Sequence, residues 1–286
     1  MSAAEVEREL APSPELEREI RAFLDDQLGR VLPPPRLAHY YRWVVLGSRS
    51  LEAFTILSRH LEPSDLPVLD VGSGLGTFVL LANRHGLPAV GVEPGATELA
   101  LARRRAGELG VDPERFSPGA GEALPYEPGS LSGALLHDVL AHVLDWRRVL
   151  AETRRVLAPG GVLYVKGPSY TVRFVEPHYK LPWLPLLPKP VARRYLALLG
   201  RDVGYFEHIG YRRRGAVLAE LRRLGFELEF PRLEKLRDPA SINRPWARAL
   251  VERARRADGT LPRLAETLAE SPLQSTIDVV ARVPRG

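Results

Sequence analysis

Residues 68–78 constrain the fold of this 286-residue chain more than any other stretch. They read as a short apolar strand, a turn with glycines at alternate positions and the start of an apolar helix. Glycines let the backbone turn sharply and lie against a ligand, and the following helix offers unpaired N–H groups and a positive dipole end. Asp70, at the end of the strand, would repel a phosphate but accept an ammonium or a hydroxyl group. The stretch therefore predicts a ligand site in an α/β protein.

The spacing of the acid and the glycines separates two kinds of ligand site. A dinucleotide-binding turn reads G-x-G-x-x-G and places a pyrophosphate on the helix N-terminus. This chain reads D-x-G-x-G-x-G instead. The pattern resembles motif I of the class I S-adenosylmethionine-dependent methyltransferases, whose ligand carries an amino acid end and no phosphate. The resemblance implies S-adenosyl-L-methionine as cofactor, S-adenosyl-L-homocysteine as product, and cofactor contacts from Asp70, Gly72, Ser73, Gly74 and Gly76.

A second stretch carries the same resemblance. Asp145 caps a predicted helix, and residues 155–161 then read R-V-L-A-P-G-G, which is similar to the family signature at this distance from the glycine turn. Strands and helices alternate between the two stretches, which predicts a parallel sheet. The fold expected from these features is a Rossmann-like, doubly wound α/β fold. Its sheet is mostly parallel, and in this fold the last strand, near residues 275–283, is antiparallel.

The rest of the chain divides around this core. Three helical patterns precede residue 62, and a proline-rich, aromatic segment follows the fifth strand, where prolines exclude a regular helix or central strand. We expect Tyr40, Tyr41 or Arg42 either to pack in the core or to close over the ligands. The predicted divisions are an N-terminal helical cap (1–62), an S-adenosylmethionine-binding core (63–167), a lid insertion (168–210) and a C-terminal completion of the sheet with a helical appendage (211–286).

Further cofactor contacts are expected at the ends of later strands. Glu93 ends the second strand about twenty residues beyond the glycine turn, where a carboxylate holds ribose hydroxyls in a doubly wound sheet, and Pro94 follows it. The resemblance also implies contacts from His137 and Asp138, after the fourth strand. It places a further segment beside the adenine, comprising Gly121, Glu122 and Ala123. The family usually has an aspartate where Ala120 stands, so the adenine amino group would rely on Glu122 or on backbone groups.

Methyl transfer from a sulfonium is an in-line displacement in which the protein mainly positions and desolvates the reactants. An oxygen or nitrogen nucleophile often needs a general base, and histidine has a suitable pKa near neutral pH. His178, Glu176 and His142 are the candidate catalytic residues, and His178 in the lid, beside Glu176, is the first candidate base. His142 has the position of a family histidine, where a structural bond to the following loop is the alternative to catalysis.

Composition excludes several classes of protein. The chain has no cysteine, which excludes disulfides, thiolate metal sites and a cysteine nucleophile, and the lid histidines lack zinc-site spacing, so no metal is expected. The net charge is +5, but the arginines are spread along the chain and interleaved with glutamates, which argues against a nucleic acid partner. No stretch has the ~18 apolar residues of a membrane span, and residues 2–30 lack an apolar signal core. We expect a cytoplasmic protein.

These observations predict a methyltransferase that acts on a small molecule. No N/D-P-P-Y/F motif follows the fourth strand, which argues against methylation of exocyclic base nitrogens, and cysteine-dependent cytosine C5 chemistry is excluded. The apolar lid favours an acceptor with a hydrophobic body, such as a sugar, polyketide or quinone-type metabolite, methylated on O, N or C. Two alternatives stay open: an RNA or protein acceptor, and a non-catalytic adenosylmethionine-fold partner protein. The insertion could instead form a contact in a homodimer.

Overall fold

The glycine-rich turn follows the first strand of a seven-stranded sheet. The computed structural model describes residues 1–29, 31–171, 175–176, 179–231, 252, 271 and 274–285. The strands lie in the spatial order β3-β2-β1-β4-β5-β7-β6. Their bounds are β1 (Val68–Val71), β2 (Ala89–Glu93), β3 (Phe116–Pro118), β4 (Leu131–His137), β5 (Leu157–Pro168), β6 (Glu227–Glu229) and β7 (Thr276–Arg282).

Helices precede and connect these strands. Within the described ranges, four lie before the sheet, three connect its parallel strands, and three lie between β5 and β6. Their bounds are α1 (Ala3–Glu9), α2 (Pro14–Leu28), α3 (Pro34–Val44), α4 (Ser48–His60), α5 (Thr77–Arg84), α6 (Ala96–Glu108), α7 (Trp146–Val156), α8 (Lys189–Leu198), α9 (Gly204–Glu207) and α10 (Arg214–Arg223).

The strand directions confirm the predicted fold class. Strands β1 to β5 pair in parallel, whereas β7 pairs antiparallel with both β5 and β6. The chain order reverses at β1, which has β2 on one side and β4 on the other. In sheets of this kind, the reversal leaves a crevice at the carboxyl ends of the two central strands. The glycine-rich turn, directly after β1, lies at that crevice.

Apolar side chains cover both faces of the sheet. On one face, α7 and α10 pack against it through buried residues such as Val149, Leu150 and Leu221. On the other face, α4, α5 and α6 contribute Leu57, Leu80 and other buried residues to a second apolar layer. Because both faces are covered, the central strands are apolar throughout, as parallel strands usually are. All four residues of β1 are buried, including Asp70.

The N-terminal helices differ from the expectation in two ways. The structure has a first helix, α1, which was not predicted, and its Ser2 cap forms a capping box with Glu5. In addition, α4 packs in the same apolar layer as α5, whereas α2 and α3 form a small cluster with Leu75 and Leu101. Part of the predicted cap therefore packs directly against the sheet. The division of the chain at residue 62 stays a prediction.

Arg105 on α6 joins the N-terminal helices to the glycine-rich turn. It is 1% exposed, and its Nη1 donates to the Leu75 carbonyl at 2.6 Å and to the Thr77 hydroxyl at 2.7 Å. Its Nη2 donates to the carbonyls of Val45 at 2.7 Å and Leu10 at 3.3 Å. Burial lowers the pKa of this guanidinium to about 10. One side chain thus satisfies acceptors from three separate parts of the chain.

The predicted helix that Asp145 caps ends within residues 155–161, which carry the family resemblance. In the structure α7 ends at Val156 and β5 begins at Leu157, so most of that stretch belongs to the strand. The pairing of β4 with β5 shifts register between Leu131 and Gly133, which accommodates this longer strand. The helical appendage predicted within residues 211–286 falls partly on residues 232–270, of which the structure describes only residue 252.

The insertion after β5 has a small apolar core of its own. Within its described part, a 3-10 turn at Leu184–Leu186 precedes α8 and α9. Tyr179, Leu184, Leu196 and Phe206 are buried together there with Val31, from the connection between α2 and α3. The insertion and the N-terminal helices therefore pack against each other, beside the carboxyl ends of the strands. No helix within the described ranges is long and apolar enough to cross a membrane.

The contacts of Arg105 predict a large loss of stability when they are removed. In Arg105→Met, two carbonyls from the N-terminal helices and two acceptors beside the glycine turn would be buried without donors. We expect the free energy of unfolding in urea to fall by about 3 kcal/mol. Arg104→Met is the matched control, because Arg104 lies on the same helix and forms an exposed ion pair with Glu19. Its loss should be below about 1 kcal/mol. Equal losses in the two variants would contradict this role for Arg105.

Candidate active site

Two glycines of the turn serve different physical purposes. Gly74 has a φ of 53°, and a Cβ built on it would meet no atom within 4 Å, so this part of the backbone faces open space. Gly76 has a φ of 77°, and a Cβ there would lie 2.7 Å from the Phe116 ring. Gly76 therefore lets α5 start close against the sheet, whereas Gly74 leaves room for a ligand.

The carboxyl group of Glu93 holds the turn in place. Its Oε2 accepts a hydrogen bond from the Gly74 N–H at 2.8 Å, and its Oε1 accepts one from the Gly95 N–H at 2.9 Å. Burial raises the pKa of Glu93, although both backbone bonds act in the opposite direction. Each carboxylate oxygen keeps a second lone pair for a ligand hydroxyl. Glu93 is therefore placed to stabilise the turn and also to hold two hydroxyl groups.

Asp70 is the most perturbed acid at this site. It is 6% exposed, and burial raises the pKa of its carboxyl to about 7; Arg49 opposes this effect, and Glu93 adds to it. The group therefore changes charge near neutral pH, and a ligand cation would favour its ionised form. A buried acid with such a pKa at a ligand crevice is typical of a functional site.

A cavity of about 450 Å³ lies over the turn. Most of the residues expected to bind the cofactor line it, namely Asp70, Gly72, Ser73, Gly74, Glu93, Pro94, Gly121, Glu122, His137 and Asp138. Gly76 and Ala123 do not line it: Gly76 packs against Phe116, and Ala123 is exposed. These two expected contacts are therefore not brought to the cavity.

The residues of this cavity suit S-adenosylmethionine. The ionised Asp70 would face an ammonium, and Glu93 offers acceptors for ribose hydroxyls. Gly74 leaves the backbone open to the ligand. The buried Ser73 hydroxyl, which also lines the cavity, has no hydrogen-bond partner among the residues that the structure describes. A ligand with hydroxyl and amino groups would supply such a partner.

Glu122 lines the cavity, but its carboxylate is engaged elsewhere. Its Oε1 accepts hydrogen bonds from the backbone N–H groups of Leu144 at 3.1 Å and Asp145 at 3.3 Å. The Glu122 carbonyl accepts a further bond from Arg148 at 2.8 Å. This acid therefore fixes the loop before α7, and its contact with an adenine amino group stays a prediction.

A second cavity, also of about 450 Å³, adjoins the first. Both cavities are lined by Tyr40, Arg49, His137, Asp138 and His142. Of the three cap residues considered from the sequence, only Tyr40 lies here. Tyr41 is buried among α2 and α3, and Arg42 is exposed and pairs with Glu7. Two cavities that share a wall can hold two reactants side by side.

Arg49 is one of the site residues that the sequence did not indicate. Its Nη2 donates to the His137 carbonyl and lies 3.2 Å from Asp138 Oδ2, and its guanidinium stacks 4.9 Å from the centre of the Trp43 ring. Nearly ninety residues separate Arg49 from His137 along the chain. A helix-start arginine has no local sequence signal for such contacts, so only the fold reveals them.

The end of β4 is held in an unusual conformation. Asp138 has a φ of 59°, a left-handed conformation that costs a residue with a side chain about 1 kcal/mol, and its N–H donates to the Lys166 carbonyl at 2.7 Å. Burial lowers the pKa of the preceding His137 well below its usual value, and the charges of Arg49 and Lys166 add to this effect. His137 is therefore neutral at physiological pH.

The three predicted catalytic residues lie in different places. His142 lines both cavities. Glu176 is fully buried, accepts a hydrogen bond from the Tyr179 N–H at 2.7 Å and lines neither of these cavities. His178 lies outside the described residues. Of the two that the structure describes, His142 lies at the junction of these two cavities and Glu176 does not.

Comparison with known proteins identifies relatives of the sheet region. A family model described as a methyltransferase domain matches residues 69–165. An uncharacterized methyltransferase of Mycobacterium sp. (strain KMS) is 37% identical over 110 residues, covering 38% of this chain and 40% of that protein. A demethylmenaquinone methyltransferase of Tropheryma whipplei (strain Twist) is 31% identical over 142 residues, covering 50% of this chain and 56% of that protein. The chain thus spans about half the length of these relatives.

The fold also resembles a solved structure over nearly the whole chain. This is a geranyl diphosphate C-methyltransferase of Streptomyces coelicolor A3(2), in complex with Mg²⁺, geranyl diphosphate and S-adenosyl-L-homocysteine. The TM-score is 0.51 at 16% identity, and the match covers 96% of this chain and 100% of the other. At this identity the likeness concerns the fold alone.

The raised pKa of Asp70 predicts that S-adenosylhomocysteine binds in a pH-dependent way. Between pH 7 and pH 5.5 an α-amino group stays protonated, but a carboxyl with a pKa of about 7 loses most of its charge. S-adenosylhomocysteine should therefore bind about fifteenfold more weakly at pH 5.5 than at pH 7, measured by calorimetry. Asp70→Asn should reduce this pH dependence, whereas Asp112→Asn, on a 3-10 turn outside the cavity, should preserve it. A wild-type pH dependence in Asp70→Asn would contradict the assignment.

Proposed function

We propose that this chain transfers a methyl group to a small molecule. The premise is that residues 69–165, which match a methyltransferase domain, belong to the class I S-adenosylmethionine-dependent methyltransferases. The methyl acceptor atom is O, N or C. The observation that carries this proposal is the pair of adjoining cavities. One has carboxylates that suit the cofactor, and the other shares five wall residues with it.

The second cavity supports a small acceptor rather than a macromolecule. Its volume of about 450 Å³ lies in the usual range for small-ligand sites. Its wall includes Leu32, from the connection between α2 and α3, Trp43 of α3, and Pro168 at the end of β5. A sugar, a polyketide or a quinone-type metabolite with an apolar body would fit this description. The demethylmenaquinone methyltransferase among the relatives supports a quinone-type acceptor within this group.

The chain contributes position, exclusion of water and proton transfer. When bound, S-adenosylmethionine supplies an electrophilic methyl group for an in-line displacement. Asp70 would hold the ammonium group of the cofactor and Glu93 its ribose hydroxyls, and Tyr40 belongs to the wall that the two cavities share. The ion pair of Arg49 with Asp138 fixes the strand end at that wall. These groups bring the acceptor atom to the shared boundary.

His142 is the base that we propose for an oxygen or nitrogen nucleophile. Its side chain lines both cavities, so an imidazole nitrogen can accept a proton from an acceptor at their boundary. The neighbouring His137 is neutral and can donate or accept a hydrogen bond there. Glu176 and His178 stay predictions for this role. A cytoplasmic location and a homodimer also stay predictions.

Loss of His142 should lower the rate of methyl transfer. We expect kcat of His142→Gln to fall by about 10²-fold or more, because a positioned base contributes roughly that factor. The affinity for S-adenosylhomocysteine should stay within about twofold of wild type. The measurement is S-adenosylhomocysteine formation with phenolic, hydroxyquinone and sugar acceptors. His85→Gln serves as the control, since His85 follows α5 and pairs with Glu9 away from both cavities. A kcat equal to wild type in His142→Gln would exclude this role.

A further inference from the structure

The second cavity carries an excess of positive charge. Among the described residues, its wall includes four cationic side chains, from Arg36, Arg49, Lys166 and Lys180, and one acid, Asp138. Three histidines also line it. This charge stands beside apolar and aromatic side chains, so the cavity is not simply an exposed polar surface. A wall of this kind selects for ligand charge as well as for ligand shape.

Two of the four cations already have partners. Arg49 pairs with Asp138 at 3.2 Å, and Lys166 pairs with Glu52 of α4. In contrast, neither Arg36 nor Lys180 forms an ion pair or a side-chain hydrogen bond with any other residue in the described ranges. Arg36 belongs to the first turn of α3, and Lys180 belongs to the insertion after β5. Two separate parts of the chain thus each bring an uncompensated cation to one cavity.

The positions of these two cations give the ligand an orientation. Arg36 and Lys180 line the second cavity but not the first, whereas Arg49, His137 and His142 line both. The uncompensated charge therefore lies on the side of the acceptor cavity away from the cofactor. A ligand that holds its anionic group there would point its other end at the shared wall.

We propose that the acceptor is an apolar or aromatic molecule with an anionic group, a carboxylate or a phosphate, which Arg36 and Lys180 hold. This inference rests on the proposed function and specifies its substrate class. The anionic group binds both cations, the apolar body packs beside Trp43 and Leu32, and the atom to be methylated reaches the wall at His142. Arg36 and Lys180 are thus specificity-determining residues that do not take part in the chemical step.

The test uses matched probes that differ only in charge. Benzoate, cinnamate and 2-naphthoate are each titrated by calorimetry against the corresponding carboxamide, into protein saturated with S-adenosylhomocysteine. A parallel arm compares 1-naphthyl phosphate with 1-naphthol, which distinguishes a phosphate from a carboxylate. We expect at least one anionic member to bind about tenfold more tightly than its neutral partner in low salt. This preference should shrink at high salt, because exposed charges are screened.

Variants connect the preference to the two cations. Arg36→Gln and Lys180→Gln should each reduce it by about two- to fivefold, and the double variant should reduce it about tenfold, as expected for exposed ion pairs. Arg42→Gln on the same helix and Lys189→Gln at the start of α8 remove the same charge outside the cavity and should leave it unchanged. All variants should bind S-adenosylhomocysteine as the wild type does.

The outcomes separate the two proposals. If S-adenosylhomocysteine binds but no anionic probe binds more tightly than its neutral partner, the anionic acceptor is wrong and the methyltransferase proposal stands. A preference that persists in the Arg36→Gln, Lys180→Gln double variant would also overturn this assignment. If S-adenosylhomocysteine itself does not bind, the proposed function fails first, and the inference fails with it.

Discussion

The hydrogen bond from the Gly74 N–H to the Glu93 carboxylate connects two backbone segments that border the cofactor cavity. It joins the turn after β1 to the end of β2, and the second oxygen of the same carboxylate holds Gly95. Without these bonds, a turn with alternating glycines would have many accessible conformations. The cofactor cavity depends on this one acid because it fixes the backbone and faces the ligand at once.

A second constraint comes from two buried ionisable side chains, Arg105 and Asp70. Arg105 satisfies four acceptors around the turn, and Asp70 stays buried with a pKa near neutrality. Both groups cost desolvation energy, which hydrogen bonds offset for Arg105 and a bound cation would offset for Asp70. Binding of an ammonium group would therefore be coupled to the ionisation of Asp70. The crevice is thus bordered by a turn that Arg105 holds in place and by Asp70, whose charge would depend on the bound ligand.

The fold and the cofactor side of the site could be predicted because their signals are local. Asp70, the glycines and Glu93 lie at strand ends, where hydrophobic patterns and turn residues fix their positions. The acceptor side could not be predicted in this way. Arg49 reaches His137 from another part of the chain, and Arg36 and Lys180 approach one cavity from the N-terminal helices and the insertion. Such convergence depends on tertiary packing, which short sequence motifs do not reveal.

Backbone donors engage two further acids that the sequence singles out. Glu122 follows a family pattern in sequence, and its Oε1 accepts hydrogen bonds from the N–H groups of Leu144 and Asp145. Glu176 is a candidate acid of the lid in the sequence, and in the structure its side chain is buried and accepts a hydrogen bond from the Tyr179 N–H in a local turn. In both cases a carboxylate oxygen accepts a hydrogen bond from a backbone N–H group. Sequence spacing alone does not reveal which donor an acid will meet.

The affinity for S-adenosylhomocysteine with and without the Glu93 carboxylate tests most directly whether the glycine-rich turn and Glu93 form the cofactor site. By calorimetry we expect the wild type to bind in the micromolar range and Glu93→Ala to bind at least about tenfold more weakly, a loss of about 1.4 kcal/mol or more. Glu98→Ala, which removes a nearby carboxylate on α6 outside the cavity wall, should bind like the wild type. No binding by the wild type, or equal binding by Glu93→Ala, would contradict the central claim that this turn and this acid form the cofactor site.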